Sequence, residues 1–347
     1  MITLGLGSYA AKRVVTGMIT LMVVLVFNWI LFRLPSFILG TDPSWYYVYS
    51  RLTGGYATAD RMVYMLLSFK QRWRIPSLYA PIGVWIDHLI RYIVNMFTFN
   101  LGEDMFLFQG RPIAEILASR IPASVYLLLP ATLISIAIGI MIGARLGAKP
   151  GSRFDVAMMG LALMLYSIPT FWLQLIFKAL LTVQWPIWPA AGGLFYYGRS
   201  TGDILVDALD VLFMLMLPIM TIVITGFAGW MLLMRNSLME VMGEDYILTA
   251  KAKGLDEATI LYKHAFRNAI LPVVTGVILA LAFVWTGAVI TETIFVIPGI
   301  GQLLFIAILQ FDYPLVESTF YFIAVATIFA NIIADISYAL LDPRVRY

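Results

Sequence analysis

Residues 121–144 read IPASVYLLLPATLISIAIGIMIGA, and this run without a charged residue lies between Arg120 and Arg145. A helix needs about 20 predominantly apolar residues to cross the hydrocarbon core of a bilayer. The run is longer than that, and a basic residue stands at each of its ends. It therefore predicts a membrane-spanning helix.

The composition places the whole chain in the membrane class. Of its 347 residues, 61% are hydrophobic and 12% are charged, whereas soluble domains carry about 25% charged residues. A water-soluble globular enzyme is therefore excluded. The net charge of +3 is too small to indicate a nucleic-acid partner. Cysteine is absent and only two histidines occur, so we expect neither disulfides nor a metal site.

Five further apolar runs have the length of a span, at residues 14–32, 156–177, 211–234, 268–291 and 318–341. The sequence thus predicts an all-α membrane protein with six transmembrane helices. Three parts are expected along the chain: an N-terminal tail with the first span (1–34), an extracytoplasmic loop region (35–120), and a core with the other five spans (121–347). The core includes a cytoplasmic loop between its third and fourth spans (235–270).

The distribution of lysine and arginine predicts the orientation. With six spans both termini lie on one side, and basic residues concentrate in cytoplasmic loops. No lysine or arginine occurs between Asn268 and Pro343, which leaves the last outer loop without positive charge. The stretch 33–120 is rich in basic residues although it lies outside, but long translocated loops largely escape the rule. Both termini are therefore predicted to be cytoplasmic.

A seventh apolar stretch, residues 293–311, is interrupted by Pro298, Gly299 and Gly301. Irregular backbone at membrane depth is tolerated where it is buried in protein or lines a cavity. The stretch is therefore interpreted as a re-entrant or interfacial segment beside a pathway, with a kinked ordinary helix as the alternative.

The chain has no phosphate-binding loop of the G-x-x-x-x-G-K-[ST] type, so we expect it not to bind ATP itself. The glycines between Gly139 and Gly147 lie at the end of an apolar run, where small residues favour close helix packing.

The loop at 235–270 holds the most informative local pattern. Its central part, residues 245–255, reads DYILTAKAKGL. Gly254 favours a left-handed backbone that ends a helix, and Asp256 can cap the next one. Pro272 suits the entrance of the following span. Small residues before a fixed break predict a short helix that another protein can approach closely.

The loop resembles the conserved cytoplasmic loop of permeases of ABC importers, in the version of the dipeptide/oligopeptide permease family. The family pattern D-Y-x-x-T-A-x-A-K-G-L matches residues 245–255, and H-A-x-R-N-A-x-x-P matches residues 264–272. Further similar segments are RPIAE (111–115), RIPAS (120–124), SIPTFW (167–172), ETIFVIPGIG (292–301), DYP (312–314) and DPRVRY (342–347). Residues 41–81 are the least typical part.

The resemblance implies a permease subunit that forms a translocation pathway for peptides by alternating access. It also implies a second homologous permease, usually nonidentical, two cytosolic ATPases that bind ATP and Mg, and an extracytoplasmic solute-binding protein, all at the cell membrane. The residues expected to couple to the ATPases are Asp245, Tyr246, Thr249, Ala250, Lys251, Ala252, Lys253, Gly254, His264 and Arg267.

The pathway candidates are Lys178, Gln174, Glu292, Pro298 and Gly299. Ionisable residues within spans are functional candidates, but Lys178 could instead extend its stem to the outer interface. Glu292 could line the pathway or cap a helix.

Two alternative functions stay open from the residues. A permease of the same architecture could import oligosaccharides, because no carboxylate clamp or sugar-stacking platform can be identified in the spans. An ion-coupled secondary transporter would need several buried acidic residues at mid-bilayer, and the six apolar runs contain only Asp335.

Overall fold

The computed structural model describes residues 6–39, 63, 67, 76–77, 79–104, 107–108, 110–188, 203–310 and 312–341. Nearly all of these residues are helical. Five helices are long and apolar enough to cross a membrane, and the number rises to seven if each of two sharply bent helix pairs is one span. An all-α membrane protein is therefore confirmed, with between five and seven candidate spans.

Twelve helices are described. They are α1 (Leu6–Leu39), α2 (Ile82–Phe97), α3 (Ile113–Ala148), α4 (Arg153–Ser167), α5 (Thr170–Lys178), α6 (Ile204–Met242), α7 (Asp245–Ala252), α8 (Glu257–Thr259), α9 (Phe266–Ala282), α10 (Val289–Phe295), α11 (Ile300–Leu309) and α12 (Tyr313–Leu341). Short π-helical turns follow α5 (Ala179–Gln184) and α8 (Ile260–Ala265), and a 3₁₀ turn follows α9 (Phe283–Thr286).

Helices α3 and α6 form the most extensive helix pair of the described chain. Gly139, Gly143 and Gly147 recur every four residues on α3 and face α6. A Cβ at Gly139 would lie 2.3 Å from Cβ of Trp230, and one at Gly143 would lie 2.4 Å from the carbonyl oxygen of Met231. Such distances leave no room for a side chain, so these glycines permit close backbone approach. The packing function predicted for them is confirmed.

The third apolar run is not one straight helix. Helices α4 and α5 meet at 86° across Ile168 and Pro169. A proline disfavours helical backbone at the preceding residue, and Ile168 has an extended conformation with φ −84° and ψ 123°. The continuous apolar pattern of residues 156–177 concealed this break.

The fifth run ends earlier than predicted. Helix α9 stops at Ala282, and Gly287 has φ +79° before α10 begins. A Cβ at Gly287 would lie 2.7 Å from the backbone nitrogen of Gly301. The single span predicted to Thr291 is therefore wrong at its C-terminal end, because a close approach of α11 needs a glycine there. Pro272 lies inside α9 rather than at its entrance.

Helices α1 and α12 pack together and carry an ion pair near each end. Arg33 of α1 pairs with Glu317 of α12, and both side chains are 3% exposed. Toward the other end, Arg13 lies 3.2 Å from Asp335, and both of these side chains are partly exposed. Arg33 directly follows the apolar run 14–32, and Glu317 directly precedes the run 318–341. Charged residues at such positions are typical of span ends, so this buried pair was not predicted.

Helix α2 lies in the region between α1 and α3. Its buried face consists of Trp85, His88, Tyr92 and Met96. The phenol oxygen of Tyr92 accepts a hydrogen bond of 2.9 Å from Asn28 of α1, which fixes α2 to the bundle. Most of residues 40–75, which make up the larger part of the least typical stretch (41–81), lie outside the described residues.

Two carboxyl groups meet where the segment after α2 contacts the start of α12. Asp104 and Asp312 are both fully buried, and the backbone N–H of Leu107 donates to Asp312 over 3.3 Å. Burial first, and then the hydrogen bond and the negative charge of Asp104, raise the pKa of Asp312 to about 8. Asp312 therefore keeps its proton at neutral pH.

We expect this pair to make stability depend on pH. The folded chain keeps a proton that unfolded Asp312 releases above about pH 4, so the free energy of unfolding falls between about pH 4 and pH 8 and then levels off. Asp312→Asn stays neutral throughout. Its thermal midpoint, relative to that of the original chain, should rise by a few degrees across this range. The exposed Asp87→Asn is the control, and a difference that is constant with pH would contradict the raised pKa of Asp312.

Candidate functional site

The loop at 235–270 contains the short helix that the sequence predicted. Helix α7 ends at Ala252, and Lys253 and Gly254 form the turn after it. Gly254 has φ +76°, a conformation that side chains with a Cβ rarely adopt. Asp256 then accepts a hydrogen bond of 3.0 Å from the backbone N–H of Thr259 and caps α8. The predicted helix stop and helix cap are both confirmed.

One face of α7 packs against the rest of the chain. Ile247 is fully buried and Ala250 is 6% exposed. Both belong to an apolar cluster with the ends of α6 and α9, which includes Leu238 and Ala269. Ala250 was predicted to contact a partner, but the structure turns it inward, where its small side chain sets how closely α7 lies on the bundle.

The opposite face of α7 is exposed and lacks long charged side chains at its centre. It presents Leu248, Thr249 and Ala252, and Leu248 is 57% exposed. Asp245 stands at the start of the helix, where a carboxylate interacts favourably with the helix dipole. The basic residues Lys251 and Lys253 are exposed near its C-terminal end. Four of the predicted coupling residues are therefore exposed on α7 and its turn: Thr249, Lys251, Ala252 and Lys253.

The second half of the loop holds α7 in place. The phenol oxygen of Tyr246 accepts a hydrogen bond of 2.9 Å from the side-chain amide of Asn268. His264 lies in the π-helical turn and is partly buried, whereas Arg267 is exposed. Turns of this kind within helices occur frequently at functional sites. All ten predicted coupling residues therefore lie on one connected helix–turn–helix unit, although they face in different directions.

A second site lies at the turn between α10 and α11, which meet at 82°. The segment predicted from Pro298 and Gly299 is thus a sharply broken one. Glu292 is fully buried there. Its Oε1 accepts hydrogen bonds from Ser124 Oγ at 2.8 Å and from the N–H of Ala288 at 2.9 Å, and its Oε2 accepts one from the N–H of Gln302 at 2.9 Å. One carboxylate therefore joins α3, α10 and α11.

The same carboxylate caps α11. The N–H groups of Ile300 and Gln302 are in the first turn of this helix and have no partner within it. Ser124 Oγ accepts from Ile300 at 2.9 Å, and Glu292 accepts from Gln302. A negative charge at a helix N-terminus is stabilised by the helix dipole. Glu292 thus acts as a helix cap through these hydrogen bonds, and its role as a pathway residue stays a prediction.

The turn itself allows almost no extra volume. A Cβ at Gly299 would lie 2.4 Å from Oε2 of Glu292 and 2.5 Å from Oγ of Ser124. Val296 has φ +55°, which is strained for a β-branched residue. Such strain persists only where the surrounding contacts determine the backbone, and it concentrates at functional sites.

The two candidates on α5 contact α10. Lys178 donates a hydrogen bond to the backbone carbonyl of Ile294, and its Nζ lies 6.0 Å from the ring centre of Phe295. Gln174 is buried and donates to Oγ1 of Thr291 over 2.8 Å. Its Oε1 has no hydrogen-bond partner among the described residues. The amine of Lys178 thus lies at the C-terminal end of α10, and its role in the pathway stays a prediction.

A cavity of about 370 Å³ opens beside the break between α4 and α5. Thr170, Thr225 and Thr291 line it together with Tyr166. Tyr166 is 73% exposed, and Thr291 connects the cavity to Gln174. Sequence reasoning missed these hydroxyl groups and also Ser124, because isolated hydroxyls in apolar runs have no distinctive spacing.

Comparison with known proteins agrees with this geometry. The family described as "Binding-protein-dependent transport system inner membrane component" matches residues 114–347. A dipeptide transport system permease protein of Escherichia coli (strain K12) is 35% identical over 294 residues, which cover 79% of this chain and 86% of that protein. An oligopeptide transport system permease protein of Bacillus subtilis (strain 168) is 32% identical over 258 residues, which cover 74% and 79%.

The matched residues include both sites described above, the helix–turn–helix unit around α7 and the α10–α11 turn. The predicted membrane location is confirmed by the family's description and by the apolar helices. The resemblance found in the loop is likewise confirmed over two thirds of the chain. This protein belongs to the family of inner membrane components of binding-protein-dependent transport systems.

Proposed function

We propose that the chain is one permease subunit of an ATP-driven importer of peptides. The observation that carries this proposal is the exposed, fixed face of α7 in a chain whose relatives are named as dipeptide and oligopeptide permeases. The family's description implies a solute-binding protein, and an importer without its own nucleotide site needs an ATPase. The chain itself performs no chemical reaction in this scheme.

The assembly is proposed to contain two nonidentical permeases, two cytosolic ATPases and one extracytoplasmic binding protein. In this arrangement the chain crosses the membrane six times with both termini in the cytoplasm. The bent pair α4–α5 forms the third span, and the α10–α11 pair enters and leaves from the outer side. The absence of lysine and arginine from residues 268–343 supports this orientation.

Coupling is proposed to act through the exposed residues of α7 and its turn. Thr249, Lys251, Ala252 and Lys253 contact the ATPase together with Asp245, while Ala250 and Gly254 position the helix. Movement of the ATPase then reaches the spans through the apolar cluster beneath Ile247. Because this cluster joins α6 and α9, the two helices move with α7.

The pathway is proposed to follow the two helix breaks. The threonine-lined cavity offers hydroxyl groups that can exchange hydrogen bonds with any peptide backbone, which suits a transporter that accepts many sequences. Gln174 lies behind this cavity, and Lys178, Glu292, Pro298 and Gly299 hold the adjoining turn. Their part in transport is to keep irregular backbone beside the cavity in place.

Reconstitution into liposomes tests the proposal. The full assembly should show ATP-dependent uptake of labelled dipeptides or short oligopeptides when the binding protein is present, and no uptake of oligosaccharides. The purified chain alone should hydrolyse no ATP. Uptake of oligosaccharides without peptides would contradict the substrate, and ATP hydrolysis by the chain alone would contradict the permease function itself.

A further inference from the structure

A second cavity, of about 620 Å³, lies at the C-terminal end of α3. Its walls are formed by the last turns of α3, the connection to α4, and the π-helical turn before α9. Its volume falls in the range of small-molecule sites. Neither the proposed pathway nor the exposed face of α7 uses it. Its position at the cytoplasmic membrane face rests on the orientation proposed above.

One wall of this cavity is apolar, and part of it is formed by the end of the apolar run 121–144 in α3. Ile140, Met141, Leu261 and Phe266 line it, and Met141 is 57% exposed. Tyr262 stands at the rim and is 70% exposed. Tyrosine is enriched at the level of lipid headgroups because its ring is apolar and its hydroxyl is polar.

The other side of the cavity is positively charged. Arg145 and Lys149 line it, four residues apart at the end of α3, and both are exposed. Within the described residues neither side chain takes part in a hydrogen bond or an ion pair. No acidic residue occurs in the wall segments 140–154 and 260–266. The nearest carboxylate in sequence, Asp155, is already bound by Arg235 at 2.6 and 2.8 Å.

We propose that this cavity binds an anionic phospholipid of the inner leaflet. Arg145 directly follows the uncharged run and so lies at headgroup depth, where it and Lys149 bind the phosphate. One acyl chain lies along Met141 and Leu261. Free phosphate would use the two cations alone, whereas the apolar wall is complementary to a lipid chain. Basic pockets between helices on the cytoplasmic side bind anionic headgroups in this manner.

Lipid retention by the purified chain and by the full assembly tests the site. Native mass spectrometry would be run after titration with phosphatidylglycerol, with phosphatidylcholine, and with inorganic phosphate. Arg145→Gln/Lys149→Gln should weaken phosphatidylglycerol binding roughly 10- to 30-fold, the size expected for two basic residues at a membrane surface. Ala144→Phe, which fills the cavity from its apolar side, should also weaken it.

The matched control removes two other exposed cations outside the cavity, Lys12→Gln/Arg111→Gln, and should retain the lipid. The lipid site would be overturned if the control loses phosphatidylglycerol as strongly as Arg145→Gln/Lys149→Gln does. It would also be overturned if phosphatidylcholine is retained as well as phosphatidylglycerol, or if phosphate binds and Ala144→Phe does not weaken that binding. Retention by the isolated chain but not by the assembly would overturn it too, because a partner subunit would then occupy the cavity. These measurements involve no transport, so their failure leaves the importer proposal intact.

Discussion

Gly299→Ala should lower transport at least tenfold and reduce the thermal midpoint of the purified chain by roughly 5–10 °C. The backbone at Gly299 has φ −97° and accepts alanine without strain, so the effect comes from the added methyl group alone. That group would lie 2.4 Å from the Glu292 carboxylate. Moving the carboxylate breaks hydrogen bonds to buried donors, and each one left without a partner costs about 1–3 kcal/mol.

Gly229→Ala is the matched control. Gly229 lies inside α6 with no atom within 4 Å of the added methyl group, so this variant should keep both stability and transport. Glu292→Gln should resemble Gly299→Ala, and the double variant should lose less than the sum of the two, because both act on one carboxylate. Normal transport by Gly299→Ala, or full additivity in the double variant, would show that this contact does not hold the turn.

Ala252→Trp should prevent assembly with the ATPase while the chain still folds. Ala252 is exposed at the end of α7, so a large side chain extends into solvent in the isolated chain. At an interface it would displace the partner, and co-purification of the ATPase should fall more than tenfold. The thermal midpoint of the isolated chain should change little, since exposed substitutions usually alter stability by less than about 0.5 kcal/mol.

Two alanines give the controls for this experiment. Ala114→Trp places the same side chain at an exposed position at the N-terminal end of α3. This variant should leave ATPase binding unchanged. Ala250→Trp replaces a residue that is 6% exposed, so it should destabilise the isolated chain by overpacking. If Ala252→Trp assembles normally, the exposed face of α7 is not the docking surface.

The glycine and proline positions show which structural features can be predicted from the local sequence. Gly254 ends α7 with a positive φ as predicted, and Gly139 and Gly143 pack on α6 as predicted. Both outcomes follow from the missing Cβ, which acts at the residue itself or along one helix face. The bend at Pro169 was missed although the proline is visible, because a proline within a helix can also leave it intact, as Pro122 and Pro130 do in α3.

By itself, the sequence determined that this chain is a helical membrane protein, where most apolar helices lie, and which loop carries the short helix α7. Uninterrupted apolar runs and their flanking charges indicate which segments can cross the bilayer. This depends only on residues close together in the chain. Only the tertiary structure decided that Ala250 faces inward, that Arg33 pairs with Glu317, and that Glu292 joins three helices. These contacts link residues far apart in the chain. Their partners are chosen by packing and by the need to satisfy buried charges and hydrogen-bond donors, for which the sequence has no periodic pattern.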